Sequence, residues 1–236
     1  MTLSSRIQIG VSGCLLGQAV RYDGGHKHHD YLTRSLARRF ELVPVCPEVG
    51  IGMGVPRPPI RLVGRVAAPR ALGREDPSLD VTAKLAAYGR QQARLLAGLS
   101  GYIFKSRSPS CGLKKVPVYS GARVADGRGL YADAFMSRHP WLPAEEESVL
   151  DDPNACELFL QRVAAYRAWQ ELIAGGLTGV RLRQFHAAHV SLLAARGAKA
   201  LARVAAGAGS GRVKKIVAEK YLAGFMTALM DDHADR

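Results

Sequence analysis

The chain has 236 residues, of which 47% are hydrophobic and 22% are charged. This balance is typical of a globular protein and excludes a mainly disordered chain, a collagen-like repeat and a long coiled coil. Lys and Arg total 33 against 20 for Asp and Glu, which gives a net charge of +13. Such an excess favours a polyanionic partner, a nucleic acid or a phosphorylated substrate, over the alternative of a merely solvated basic surface.

The cellular compartment is predicted from the apolar segments of the chain. No apolar run reaches the roughly 18 to 20 residues of a membrane-spanning helix, and the first residues lack the apolar core of a secretory signal. We therefore expect a cytoplasmic protein without membrane contact. Its four cysteines would be reduced there, which favours metal binding or catalysis over disulfides. The oligomeric state stays open, with a monomer as the simplest expectation.

The first part of the chain has alternating strand and helix patterns. Apolar runs predict strands at 7–11, 41–45 and 101–104, with Pro44 indicating either an edge position or a strand end for the second. Apolar residues at helical spacing predict helices at 31–40 and 81–99. Strands that alternate with helices predict an α/β fold, a three-layer Rossmann-like domain with a parallel sheet.

The segments around these elements carry weaker patterns. Residues 52–80 are rich in Pro, Arg and Gly and predict one short strand at most, near 60–63. A short helix is predicted at 132–138. The acidic run 145–152 predicts either the domain boundary or the first turn of the next helix, where acids are favoured.

The last part of the chain is basic and predicts helices only. Helical patterns cover 156–174, 181–196 and 213–230. Residues 162–220 contain 11 Lys and Arg against two Glu. We therefore predict an α/β domain at 1–150, followed by a small all-α, basic domain at 151–236.

Three cysteines follow the three predicted strands. Cys14, Cys46 and Cys111 each lie beyond a strand's carboxyl end, and these ends meet at the ligand-binding edge of a parallel sheet. Three converging thiolates suit zinc with one open position or an iron–sulfur cluster with one iron not held by the protein. The alternative is three separate buried thiols. Cys156, in a predicted helix, is expected to be a buried thiol.

Polar side chains accompany these cysteines. The loop after the third strand offers hydroxyls, backbone amides and two cations, which suits a phosphate, although plain solvation is the alternative. Glu48 lies two residues from Cys46 and is a candidate general acid or base. Its alternative role is a surface carboxylate or the partner of a nearby Arg.

Taken in order, these motifs resemble those of the TudS thiouracil desulfidases over about residues 6–148. The matching segments are SGCLLG (12–17), RYDG (21–24), VCPE (45–48), MGVPR (53–57) and KSRSPSCG (105–112). The resemblance implies a [4Fe–4S] cluster held by Cys14, Cys46 and Cys111, with one open iron for the sulfur of a thiocarbonyl. It also implies that Glu48 activates water or relays protons and that Ser108 orients or protonates the substrate. Substrate contacts are expected from Arg21, Tyr22, Lys105, Ser106 and Arg107.

A second resemblance covers residues 182–230, where Phe185-His186 and Tyr221 are similar to the start of the YbgA-like helical domain. The fusion of both domains resembles the RudS-type desulfidases, which act on 4-thiouridine in tRNA. The implied function is removal of sulfur from 4-thiouridine in tRNA, or from thiouridine or thiouracil nucleotides, giving uridine and sulfide. The basic helices would then bind the phosphate backbone. The alternative is a non-catalytic RNA-binding module with a structural zinc or cluster.

Overall fold

The computed structural model describes residues 6–194 and 199–230. The chain forms two compact units, Met1–Phe159 and Leu160–Arg236. The first unit holds both sheets and the second is helical. The division falls within a helix, after the acidic run at which the sequence places the boundary.

Eight strands are present in the described residues. They are β1 (Gln8–Ser12), β2 (Glu41–Val45), β3 (Ile60–Arg65), β4 (Ala68–Gly73), β5 (Gly101–Phe104), β6 (Val116–Ser120), β7 (Arg123–Gly127) and β8 (Ala144–Glu146).

One sheet is fully parallel, with the strand order β2-β1-β5-β8. Its inner strands bury Ile9, Val11 and Ile103 completely, as expected for a sheet covered on its faces. Pro44 lies opposite Val11 on the edge strand β2, where its missing N–H leaves no gap in the ladder. The predicted parallel α/β core and the edge position of β2 are confirmed.

A second sheet has the order β4-β3-β6-β7, with two antiparallel pairs around the parallel pair β3–β6. The prediction of one strand at most in residues 52–80 is wrong, because this segment forms the β3–β4 hairpin. Gly64 and Pro69 weaken the local strand pattern. Leu62 of β3 and its partner Ala71 of β4 are nonetheless buried in one core. This packing stabilises the hairpin.

Nine α-helical segments are present in the described residues. They are α1 (Ala37–Arg39), α2 (Pro47–Gly50), α3 (Thr82–Leu95), α4 (Leu130–Met136), α5 (Pro153–Ala174), α6 (Gly179–Ala188), α7 (Val190–Ala194), α8 (Lys199–Ala206) and α9 (Lys215–Met230).

Several helices differ from the sequence predictions. The predicted helix 31–40 contains a π-helical segment, Leu32–Leu36, which is followed by the α-helical α1. The predicted helix 181–196 breaks at His189 into α6 and α7, and its last two residues lie outside the described residues. The helix α8 has no counterpart among the predictions. None of the described helices is long and apolar enough to cross a membrane.

The helix α3 is central to the first unit. Leu85 of α3 and Val81, the residue before this helix, pack against Leu62 and Val118 of the second sheet. On another side, Gly89 lets α4 approach closely, since a Cβ there would lie 2.7 Å from the Tyr131 carbonyl oxygen. α3 therefore connects the second sheet to α4.

The helical unit has an aromatic core. Trp169 and Tyr221 stack with ring centroids 5.7 Å apart, and Phe185 and Phe225 pack beside them. Nδ1 of His186 lies 2.9 Å from the Tyr221 hydroxyl. Burial lowers the pKa of His186. These contacts place the Phe-His motif of α6 against the core of this unit.

Candidate functional site

Three loops bring three cysteines to one cavity. Cys14 lies in a 3-10 turn directly after β1, and Cys46 directly follows β2 at the start of α2. Cys111 lies in the longer loop after β5. All three line a cavity of about 500 Å³. The convergence follows from the parallel sheet, because adjacent parallel strands end at the same edge.

The cavity holds its thiols in a poorly solvated environment. Burial, with a smaller contribution from Cys46, raises the pKa of Cys14 to about 11. Burial also raises the pKa of Cys46 and places that of Cys111 well above its usual value. The three thiols would therefore keep their protons at neutral pH, and a metal centre must displace these protons when it binds.

The soft donor set at the cavity consists of three cysteine sulfur atoms. In the described parts of the chain, no three His, Cys, Asp or Glu side chains are arranged to hold one metal ion. Tetrahedral zinc would need sulfur atoms about 3.8 Å apart, given Zn–S bonds of about 2.3 Å. In a cubane, each thiolate binds a different iron, so the sulfur atoms lie farther apart. The other described residues that line the cavity include no fourth cysteine and no histidine, which leaves one coordination position without a soft protein ligand.

The fourth cysteine of the chain lies elsewhere. Cys156 is buried in α5. Its sulfur lies 3.7 Å from the Tyr31 hydroxyl and it does not line the cavity. This position matches the expectation of a buried structural thiol.

Glu48 lines the cavity and accepts hydrogen bonds on both oxygens. Arg57 Nε donates to Oε2 at 2.8 Å, and the Ser110 hydroxyl donates to Oε1 at 2.8 Å. Arg57 also donates to the carbonyl oxygens of Gly54 (2.9 Å) and Val20 (2.8 Å). The side chains of Arg57 and Glu48 are 3% and 12% exposed. This buried ion pair thus connects the loops that follow β1 and β2.

Ser108 supports the loop that carries Cys111. Its Oγ accepts hydrogen bonds from the backbone N–H of Cys111 at 3.0 Å and of Ser110 at 3.2 Å. Ser108 also lines the cavity. The preceding Arg107 has a left-handed backbone (φ 57°), which residues other than glycine seldom adopt. This loop conformation is therefore specified by its hydrogen bonds.

Lys105 and Ser106, two expected substrate contacts, have a protein partner. The Glu147 carboxylate forms an ion pair with Lys105 and accepts hydrogen bonds from the hydroxyl (2.7 Å) and N–H (2.6 Å) of Ser106. Burial would raise the pKa of Glu147, but the hydrogen bonds from Lys105 and Ser106 outweigh it and lower this pKa. Glu146 likewise accepts from the N–H of Leu113 at 2.9 Å. Two residues of the acidic run thus hold the loop of Cys111.

Arg21 and Tyr22 lie at the mouth of the cavity. The Arg21 guanidinium lies 5.3 Å from the centroid of the Tyr22 ring and 3.3 Å from an Asp23 oxygen. Tyr22 is 42% exposed. An exposed ring under a guanidinium can take part in stacking on a planar base.

The cavity lining is strongly basic. Within the described ranges, the one acidic residue that lines it is Glu48, which Arg57 already neutralises. The cationic side chains that line it in the same ranges are Arg21, Lys27, Arg57, Arg61, Arg74, Lys105 and Arg107.

Several important residues are absent from the sequence predictions. Arg57 and Ser110 lie inside matched motifs, so their motif positions were the available signal. Arg61 and Arg74 come from the second sheet and the loop after it, which the sequence does not reveal. A role for Glu147 could not be inferred locally, because its partner Lys105 lies 42 residues earlier.

Fold and site together define an α/β protein with three thiols and many cations at the carboxyl edge of a parallel sheet. A family model described as "2-thiouracil desulfurase" matches residues 9–147. The chain belongs to the 2-thiouracil desulfurase family.

Two further comparisons found similar proteins. The "Uncharacterized protein YbbK" of Bacillus subtilis (strain 168) is 32% identical over 138 residues, which are 52% of this chain and 85% of that protein. A solved structure named "[4Fe-4S]-dependent thiouracil desulfidase TudS" is 32% identical, with a TM-score of 0.49. That match covers 62% of this chain and 94% of the other.

Proposed function

We propose that this chain is an iron–sulfur-dependent desulfidase that acts on 4-thiouridine, in tRNA or as a nucleotide. The reaction is a hydrolysis, in which a thiocarbonyl and water give a carbonyl and hydrogen sulfide, and it requires no net electron transfer. The observation that carries the proposal is the convergence of Cys14, Cys46 and Cys111 on one cavity that also contains Glu48. Family membership supports a thiolated pyrimidine as the substrate class.

The three cysteines would hold a [4Fe–4S] cluster. Such a cluster, when bound, supplies a soft Lewis acid that prefers a thiocarbonyl sulfur to the hard oxygen donors nearby. The protein contributes the remaining chemistry through residues that bind the substrate, orient it and move protons.

Glu48 is the proposed base. A carboxylate offers about four lone-pair positions, and Arg57 and Ser110 occupy two of them. The remaining positions can accept a proton from a water molecule in the cavity. Because two hydrogen bonds hold the carboxylate, its orientation toward that water is set before the substrate binds.

Ser108 is the proposed orienting group and proton donor. Its oxygen accepts two backbone hydrogen bonds. Among the described residues its hydroxyl donates to no protein acceptor, so its hydrogen is available to the pyrimidine. Arg21 and Arg107 would bind the anionic part of the substrate and Tyr22 its planar base. Lys105 and Ser106 would also contact the substrate, and their contacts with Glu147 would hold them in position.

Reconstitution under anaerobic conditions tests this function. We expect reconstituted protein to contain iron and inorganic sulfide, to absorb visible light and to release sulfide from 4-thiouridine monophosphate. Cys14→Ala, Cys46→Ala and Cys111→Ala should each lose both the absorption and the activity. Cys156→Ala is the matched control and should keep both. Full activity without a cluster, or one zinc per chain with no inorganic sulfide, would refute the proposal.

The proposed role of the helical unit is to bind tRNA. Lys214, Lys215 and Lys220 are exposed basic residues in and beside α9. Replacing all three by Ala should raise KM for thiolated tRNA and leave KM for 4-thiouridine monophosphate unchanged. Replacing the exposed Arg38 and Arg39 is the control for loss of general positive charge. An equal effect of both sets on tRNA would contradict a specific role of this unit.

A further inference from the structure

One face of the second sheet, called the open face, consists mostly of exposed residues, although Leu72 of β4 on this face is buried. The other face of the sheet packs against α3. On the open face, one row crosses all four strands, since Val63 pairs in register with Arg70 and Tyr119, and Tyr119 pairs with Val124. Tyr119 is 38% exposed and Val124 is 58% exposed. An aromatic and an aliphatic side chain thus lie side by side on an open sheet.

Cations flank this row. The Arg61 guanidinium lies 5.7 Å from the centroid of the Tyr119 ring. Arg61, Val63 and Arg65 are every second residue of β3, so the two arginines share the face of Val63. Neither arginine has a carboxylate partner in the described parts of the chain. Two acidic residues belong to this face: Asp126 lies on the outer strand β7, and Asp80 pairs with Arg70 at the other end of the row. The charge beside Tyr119 is therefore positive.

The row is continuous with the cavity. Arg61 and Tyr119 line the cavity as well as the open face. A molecule that reaches from the cysteines onto the sheet would pass over this guanidinium and this ring. Exposed rings beside cations are typical of surfaces that bind single-stranded nucleic acid, where bases stack and phosphates are neutralised.

From these contacts we infer that the open face around Tyr119 binds the nucleotide that adjoins the thiolated one in an RNA strand. Tyr119 stacks on the base of this neighbour, and Arg61 contacts the phosphate between the two nucleotides. A free mononucleotide has no such neighbour, so this surface selects for a polynucleotide. The inference rests on the proposed function and adds a specific surface of the α/β unit to it.

The test compares two substrates on the reconstituted full-length protein. The substrates are 4-thiouridine monophosphate and a short single-stranded RNA with one internal 4-thiouridine. Base stacking of about 1–3 kcal/mol predicts that Tyr119→Ala lowers kcat/KM for the RNA about 5- to 150-fold relative to the mononucleotide. Tyr119→Phe keeps the ring and should stay within about twofold of the wild type.

Three results would overturn the inference. Equal losses on both substrates would place Tyr119 against the reacting nucleotide, and no loss on either would leave it without a role. A change in oligomeric state in Tyr119→Ala would assign the face to a second copy of the chain.

A binding arm separates this inference from the proposed function. Fluorescence anisotropy with a labelled oligouridine should show weaker binding by Tyr119→Ala than by Tyr119→Phe. If the wild type releases no sulfide but this difference is present, the desulfidase proposal fails and the RNA surface stands. If the wild type is active and binding is unchanged, the surface fails alone.

Discussion

Arg57→Met tests whether the buried ion pair between Arg57 and Glu48 organises the cavity. The substitution keeps a side chain of similar length but removes the cation from a site that is 3% exposed. It leaves the Glu48 carboxylate without its charged partner and takes a hydrogen bond from each of two carbonyl oxygens, those of Gly54 and Val20. Breaking a buried pair from one side costs about 3–5 kcal/mol, so we expect a loss of this size in the free energy of unfolding.

Urea unfolding of protein prepared without cofactor, followed by circular dichroism, measures this loss. Arg34→Met is the matched control, because Arg34 pairs with Asp30 at the surface, with side chains 77% and 62% exposed. A pair of that kind contributes about 0.5 kcal/mol. In the double variant with Glu48→Gln, the unpaired charge is gone, so its loss should be smaller than the sum of the single losses. A loss below about 1 kcal/mol for Arg57→Met, or additive losses in the double variant, would refute the reasoning.

Three further predictions concern other contacts. Glu147→Gln removes a charged acceptor, so we expect KM for 4-thiouridine monophosphate, measured by sulfide release, to rise about tenfold. Gly89→Ala should lower the free energy of unfolding by about 1–3 kcal/mol, because the new methyl group would meet the α4 backbone. Hydrogen bonds from Thr82 and Arg70 lower the pKa of Asp80 to about 2. Asp80 should therefore contribute about 1 kcal/mol above pH 4, a modest value because solvent screens this carboxyl. In urea unfolding, the advantage of the wild type over Asp80→Asn should disappear as the pH falls from about 4 to 2.

Each of these predictions has a clear contrary outcome. An unchanged KM in Glu147→Gln would mean that its contacts do not position the substrate loop. A more stable Gly89→Ala would mean that helix propensity, about 1 kcal/mol in favour of Ala, outweighs the close approach of α4. A pH-independent difference for Asp80→Asn would mean that the carboxylate charge does not contribute to stability.

The parallel core was predictable because its signals are local. The strands β1, β2 and β5 are short apolar runs, and each of them ends at a motif that contains cysteine. The second sheet was not predictable in this way. Its strands do not share one burial pattern, since β3 buries Ile60 and Leu62, β4 buries its last three residues and β7 is largely exposed. They also include Gly64 and Pro69, so that their stability comes from packing on α3 rather than from a local pattern.

The candidate site was likewise predictable only in part. The placement of Cys14, Cys46 and Cys111 beyond strand ends follows from the order of elements along the chain, and the cavity contains all three. The pairing of charges does not follow from that order, because Lys105 and Glu147 are 42 residues apart. Such partners meet only after β8 has paired with β5.

Local patterns and strand order were therefore enough for the α/β core and for three thiols at one edge. The folded chain was needed to show which cations are neutralised, as Arg57 and Lys105 are, and which face the cavity without an acidic partner. It was also needed to reveal the open sheet beside the cavity. The physical reason is that backbone pattern depends on neighbours in sequence, whereas ion pairs and exposed faces depend on neighbours in space.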